Sequence, residues 1–123
     1  MSMFAFKLIA PTRVLFEGQA SLVIAVTTEG EEGILAGHAP FVGALKPGVL
    51  RAEVSDESGS RRLELATDDG FIQALPDRVT VLVERALSIE EIDIEATRAE
   101  LGSASDPAAI AFAEAKLRLA RSA

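Results

Sequence analysis

An all-β N-terminal sandwich followed by a small antiparallel α-helical hairpin is the fold class that three features of this 123-residue sequence predict. Segments with apolar residues at every second position recur between residues 3 and 87, at the roughly 8 to 12 residue spacing of a sandwich or barrel. Glycine, proline and aspartate clusters separate them, as turns require. At Ser88 the apolar period lengthens to that of a helix. The expected division is 1–87 for the sandwich and 88–123 for the hairpin.

Phe4, Phe6 and Leu8 alternate with Ala5, Lys7 and Ile9, a strand with its aromatics on one side. Pro11-Thr12 breaks it, and Arg13 to Glu17 runs into Gly18. The run from Ala20 to Thr28 is apolar on both faces (Leu22, Ile24 and Val26 against Val23 and Ala25), which predicts the middle of a sheet. From Gly48, Leu50, Ala52 and Val54 alternate with Arg51 and Glu53, the loop from Ser55 to Ser60 turns the chain, and Arg62 to Ala66 returns. Asp68-Asp69-Gly70 and Pro76-Asp77 bracket a strand from Phe71 to Leu75, and Val79, Val81 and Val83 form the last.

Ser88-Ile89-Glu90-Glu91 has the form of a capping box. Ile89, Ile92, Ala96 and Ala99 then make a helical stripe, predicting a first helix from Ser88 to about Leu101 that stops at Gly102. Asp106 before Pro107 is an N-cap with proline at the first helical position, and Ile110, Phe112, Leu117 and Leu119 carry a second helix. The first helix is acidic (Glu90, Glu91, Asp93, Glu95, Glu100) and the second ends in Lys116, Arg118 and Arg121. An antiparallel pair puts those charges side by side and suits both helix dipoles. Alanine-rich faces bury little apolar area at roughly 25 cal/mol per Å², so the hairpin is expected to be a detachable appendage.

Composition excludes several classes of function. No cysteine is present, which removes disulfides, thiolate nucleophiles and zinc–thiolate sites, and a single histidine removes a histidine-rich metal site. A net charge of −7 argues against nucleic acid and against an anionic membrane surface. No apolar run reaches the roughly 18 residues of a membrane span, and Met3 to Ala10, interrupted by Lys7, is too short for a secretory segment. A cytoplasmic protein with no direct membrane insertion is expected.

No catalytic constellation emerges. His38 has no G-x-S-x-G elbow or equivalent partner in the sequence, so a structural or interface histidine is the expectation. The carboxylate pairs Glu31-Glu32, Asp56-Glu57, Asp68-Asp69 and Glu90-Glu91 sit in predicted turns or helix starts, where acids serve local needs. Asp68-Asp69-Gly70 lacks the spaced ligands of a calcium loop, and no phosphate-binding glycine loop is present. No catalytic residue, metal or cofactor is expected.

The most constrained stretch is Gly33 to Gly48, whose sixteen residues hold the only histidine, two of the five prolines and four of the nine glycines. Glu29-Gly30-Glu31, Gly33-Ile34, Gly37-His38-Ala39-Pro40 and Leu45-Lys46-Pro47-Gly48, continuing through Thr67 to Phe71 and Val79 to Leu82, resemble the N-terminal domain of the epsilon subunit of F-type ATP synthases. The resemblance thins after about Glu91.

The resemblance implies a sandwich at the foot of the central stalk, a rotor part packed against the gamma subunit and the ring of c subunits. It further implies a peripheral position on the cytoplasmic face of the inner (plasma) membrane, and a role in proton-driven ATP synthesis and in restraining ATP hydrolysis. Carried onto this chain, the ring contacts are Glu29, Glu31 and His38, an acidic, glycine-framed surface suited to basic loops. Inhibitory contacts to the catalytic beta subunit fall to Lys116, Arg118 and Arg121. The second helix, about 16 residues or roughly 24 Å, is shorter than is usual in the family, which bears against inhibition by insertion. Some relatives bind ATP through a motif resembling Ile/Leu-Asp-x-x-Arg-Ala; here Asp93 and Arg98 are five apart, about 140° around a helix, which argues against ATP at that pair. The alternative is a free-standing β-sandwich binding a ligand or carbohydrate, disfavoured by the absence of tryptophan and tyrosine.

Overall fold

A computed structural model describes residues 2–121. Met1, Ser122 and Ala123, at the two ends of the expected domains, lie outside the described residues. Nine strands form the N-terminal part: β1 (Phe4–Ala10), β2 (Arg13–Thr27), β3 (Gly30–Ile34), β4 (Phe41–Leu45), β5 (Gly48–Asp56), β6 (Gly59–Thr67), β7 (Gly70–Leu75), β8 (Arg78–Val83) and β9 (Ala86–Leu87). Their hydrogen-bonded order is β1-β8-β7-β4-β2-β5-β6-β9, with β3 on β2. A further β1–β2 pairing closes β1, β8, β7, β4 and β2 into a ring. Only β1 and β8 run parallel; the other pairs are antiparallel.

β2 is the strand that joins the two layers. It pairs with β1 from Arg13 to Ala20 and with β5 and β3 from Gln19 to Thr27. The sequence splits it at Gly18, whereas the structure carries one 15-residue strand straight through. The glycine is needed inside the strand for close approach: a Cβ there would lie 2.9 Å from both the Phe16 ring and the Ser55 carbonyl. The expected central position of the Ala20–Thr27 run is what the pairings give.

Period-two alternation turns one side of each strand into the core. Phe4, Phe6, Leu8, Ile72, Val79, Val81 and Val83 meet Val23, Ala25, Ile34, Leu50, Ala52, Val54 and Leu65 in a single cluster. At the corner before β7, Gly70 is obligatory. A Cβ on it would overlap the Leu82 carbonyl oxygen and sit 2.8 Å from Val83 Cα.

The hairpin departs from its predicted form. Ile89–Glu91 is a single 3-10 turn, Ile92 and Asp93 are extended, and α1 runs only from Ile94 to Ser103, passing Gly102. Two local interactions mark the break. The Glu91 carboxylate accepts from the Ser88 N–H at 2.9 Å and the Ser88 hydroxyl at 3.1 Å, closing the first turn on itself. Asp93 then supplies a new N-cap, accepting from the Ala96 N–H at 3.0 Å. The interruption also changes the buried face: Thr97 is 2% exposed, its hydroxyl donating to the Asp93 carbonyl at 2.7 Å, while Ala96 and Ala99 face solvent.

α2 (Pro107–Arg121) starts as predicted, with Asp106 accepting from the Ala109 N–H at 3.1 Å. It folds back on α1 and lies on β5 and β6. Phe112, Ala115 and Leu119 pack on Val49 and Ala66, with Leu87, Ile89 and Ile92 at the margin, in a small cluster separate from the main core. The ion pair crossing the hairpin is Lys116–Glu100 at 3.1 Å.

Candidate functional site

One surface is built around the β2–β3 turn. Thr27, buried at the end of β2, donates its hydroxyl hydrogen to the Gly30 carbonyl at 2.7 Å and accepts from the Glu29 N–H at 3.1 Å. Gly30 takes φ +124°, a region that disfavours a side chain. Because a strand alternates its faces, Glu31 (opposite Val26) and Glu32 (opposite Ala25) point to different sides. Glu32 turns towards the loop from the other layer, where its Oε1 is 3.7 Å from His38 Nε2. His38 Nδ1 lies 2.7 Å from the Ala39 carbonyl. A carbonyl only accepts, so Nδ1 carries the proton and Nε2 faces the carboxylate.

Glu29, Glu32 and His38 line one groove of about 330 Å³ with Pro40, Phe41 and Val42. The structure thus brings Glu29 and His38 together, while the exposed Glu31 lies outside that lining. Glu32 is the member that reading residues in a row missed; its place on the inner side of β3 follows from the period-two pattern once the register is known.

The second surface was not singled out from the sequence at all. On the outer face of the β4-β7-β8-β1 layer, Ala44 is opposite Phe71, Phe71 opposite Leu82, Leu82 opposite Ile9, and Ile9 opposite Val14 on β2. Phe71 is 60% exposed, Leu82 46% and Val14 51%. Pro11, Ala44, Leu45, Phe71 and Leu82 border an open groove of about 530 Å³. A contiguous exposed apolar stripe of this kind is a candidate interaction surface. The signal in the sequence was Leu82 on the polar side of the Val79, Val81, Val83 strand, and Phe71 beside Ile72.

The third candidate is the end of α2. Arg118 and Arg121 are exposed, and Arg121 Nε donates to the Leu117 carbonyl at 3.3 Å. Lys116 is different: its side chain is 6% exposed and Nζ donates to both Glu100 oxygens at 3.1 Å. Asp93 is occupied as the α1 cap, and Arg98 lies 3.7 Å from Glu95.

Two carboxylates have lowered pKa values. Asp56 is held below its usual value chiefly by a hydrogen bond from Arg61, then by the Ser58 N–H, in a solvated hairpin. Glu91 is held down first by the Ser88 N–H and next by the Ser88 hydroxyl. Among the described residues no group of three or more His, Cys, Asp or Glu is disposed to hold a metal ion.

An acidic groove at one end, an apolar stripe across an outer face and a docked helical hairpin define the surfaces of this β-sandwich protein. Residues 3–89 match the family described as the ATP synthase delta/epsilon chain, beta-sandwich domain. The chain belongs to this family of ATP synthase epsilon subunits. It is 44% identical over 117 residues to the ATP synthase epsilon chain of Thermobifida fusca, covering 94% of this chain and 83% of the relative. To that of Rhodococcus jostii it is 39% identical over 120 residues, 96% of each. Among solved structures, a chain of the Euglena gracilis mitochondrial ATP synthase, in an OSCP/F1/c-ring assembly, superposes with a TM-score of 0.66 at 25% identity, over 98% of this chain and 79% of that one. A central stalk/c-ring chain from Tetrahymena thermophila shares the fold, with a TM-score of 0.64 at 18% identity over 96% and 91%. These matches do not favour a free-standing carbohydrate- or ligand-binding module.

Proposed function

We propose that this epsilon subunit is a non-catalytic rotor part that joins the gamma subunit to the c ring, on the cytoplasmic face of the membrane. The observation that carries the reading is the stripe Ala44–Phe71–Leu82–Ile9–Val14. It is a broad apolar face that water disfavours and that a large protein partner covers; gamma is that partner. Glu29, Glu31, Glu32 and His38 meet the polar loops of the ring, where an acidic groove gains from basic partners. Among the described residues no helix is long and apolar enough to cross a membrane.

The hairpin, residues 88–123, acts as a separable unit beside the sandwich of 1–87. Its small seat on Val49 and Ala66 supports release. Once released, the hairpin offers Lys116, Arg118 and Arg121 to the catalytic beta subunit as the candidate brake on ATP hydrolysis, with a helix of 15 residues that is short for insertion. The test of the whole reading is gel filtration of this chain with gamma, followed by the ATPase rate of a catalytic head, stripped of epsilon, to which it is returned. Co-elution in stoichiometric amount is expected; failure to co-elute at low and moderate salt sinks the rotor assignment. A triple alanine variant at Lys116, Arg118 and Arg121 that leaves hydrolysis unchanged removes the brake.

A further inference from the structure

One aromatic ring on α2 meets a cation of the sandwich. Phe112 is 2% exposed, and two cations lie over it: Arg85, with Cζ 4.6 Å from the ring centroid, and Lys116, with Nζ at 4.9 Å. Each cation is itself held in place. Arg85, between β8 and β9, donates from Nε and Nη2 to Asp68 Oδ2 at 3.1 and 2.8 Å. Asp68 is 8% exposed, and its other oxygen accepts from the Asp69 N–H at 2.9 Å. Lys116 is held by Glu100, on α1.

These residues therefore span all three bodies: Asp68 and Arg85 belong to the sandwich, Phe112 and Lys116 to α2, Glu100 to α1. A buried ammonium is costly unless a carboxylate and other partners offset its lost water. Lys116 finds its ring one turn earlier on α2 itself and its carboxylate on α1, so both contacts lie within the hairpin and hold its two helices together. Arg85 has the ring only while α2 is seated. Besides Phe112, the apolar seat consists of Ala115 and Leu119 on Val49 and Ala66, with Leu87, Ile89 and Ile92 at its margin, and the Arg85 contact to the ring adds to this small seat only in the docked state.

We infer that Asp68, Arg85 and Phe112 form a clasp that sets the balance between docked and released hairpin, and that Lys116, buried beside the same ring, is hidden from any partner until the clasp opens. This rests on the reading that the hairpin leaves the sandwich. Arg85 is the gripping residue; Asp68 is a positioning residue that aims Arg85 at the ring. Arg118 and Arg121 stand outside the clasp and are exposed in the docked state.

The experiment is hydrogen exchange on the full chain, with β5 amides as the internal standard for sandwich unfolding. It compares the parent, Arg85→Met, Phe112→Leu and the double variant. Amides of 107–121 are expected to exchange faster than those of β5 in the parent, and faster again in each single variant with β5 unchanged. The double variant should fall short of the product of the single effects by about three- to tenfold, the range of a partly desolvated cation–π contact. Asp68→Asn should shrink that shortfall, which a purely structural aspartate would leave alone. Arg118→Gln should change nothing. If Arg85→Met unfolds the sandwich, the same cycle is run with Arg85→Gln. Effects that multiply without shortfall overturn the clasp and leave hairpin release standing. Helix amides that exchange only together with β5 in the parent overturn both.

Discussion

Phe71→Ala separates an interface role from a structural one. Phe71 lies on β7 between Ala44 and Leu82 and is 60% exposed, so a ring-bearing side chain of roughly 200 Å² leaves roughly 120 Å² in water. Covering that area with a partner, at about 25 cal/mol per Å², is worth at most ~3 kcal/mol. Losing it weakens the dissociation constant by up to about 100-fold. The covered remainder of the side chain contributes less than ~2 kcal/mol to folding, so the variant stays folded. Calorimetric titration with gamma gives the affinity, and urea denaturation of the free chain gives the stability. A folded Phe71→Ala chain that binds gamma within threefold of the parent refutes the assignment of this stripe to the gamma contact.

Three further outcomes are expected. Gly70→Ala should cost about 3 kcal/mol or more, because a Cβ meets backbone atoms of Leu82 and Val83 that have no rotamer to escape into; an unchanged urea midpoint would mean that β7 and β8 part easily. Thr97→Glu should strip the helical circular dichroism of the hairpin while Ala96→Glu and Ala99→Glu preserve it, since Thr97 is buried and the alanines are not; the opposite ranking would restore the predicted stripe. Glu91 should titrate below 4.5 by carbon-detected NMR, and Ser88→Ala should move the midpoint part of the way back, because the hydroxyl goes and the larger cause, the Ser88 N–H, stays. With the folded value depressed, the stabilisation by this carboxylate is present above the unfolded pKa and lost as pH falls through the folded one; a parent midpoint at 4.5 would contradict the turn geometry.

Much of the sandwich was legible because alternation is local. Phe4, Phe6 and Leu8 share a face whatever lies beyond them, and so do Leu50, Ala52 and Val54; the structure buries both sets. The Asp106-Pro107 start of α2 is equally local, a side-chain cap and a fixed φ. The first helix was misread although its signals are local too. Two caps, Ser88 with Glu91 and then Asp93, compete within six residues, and the second wins because Ile89 and Ile92 are held on the small cluster beneath α2. That choice lies in packing, and it carried Thr97 inwards in place of the alanines.

The candidate sites divide in the same way. Glu29, Glu31 and His38 are named by the family resemblance, and they lie in or beside one short segment that a dense run of glycine and proline marks as a constrained loop. The apolar stripe escaped because its members come from five strands, each with one or two apolar residues on its outer face; only strand order and register put Ala44, Phe71, Leu82, Ile9 and Val14 in one row. Lys116 reads as one of three surface cations on a helix end, and its helical position is correct. Its burial depends on Glu100 sixteen residues earlier and on Phe112 meeting Arg85 across the hairpin seat. Periodicity, turns and caps act over a few residues and are written in the order of the chain. Which faces stay bare, and which charges lose their water, depends on residues far apart in the chain that meet only after the layers have closed.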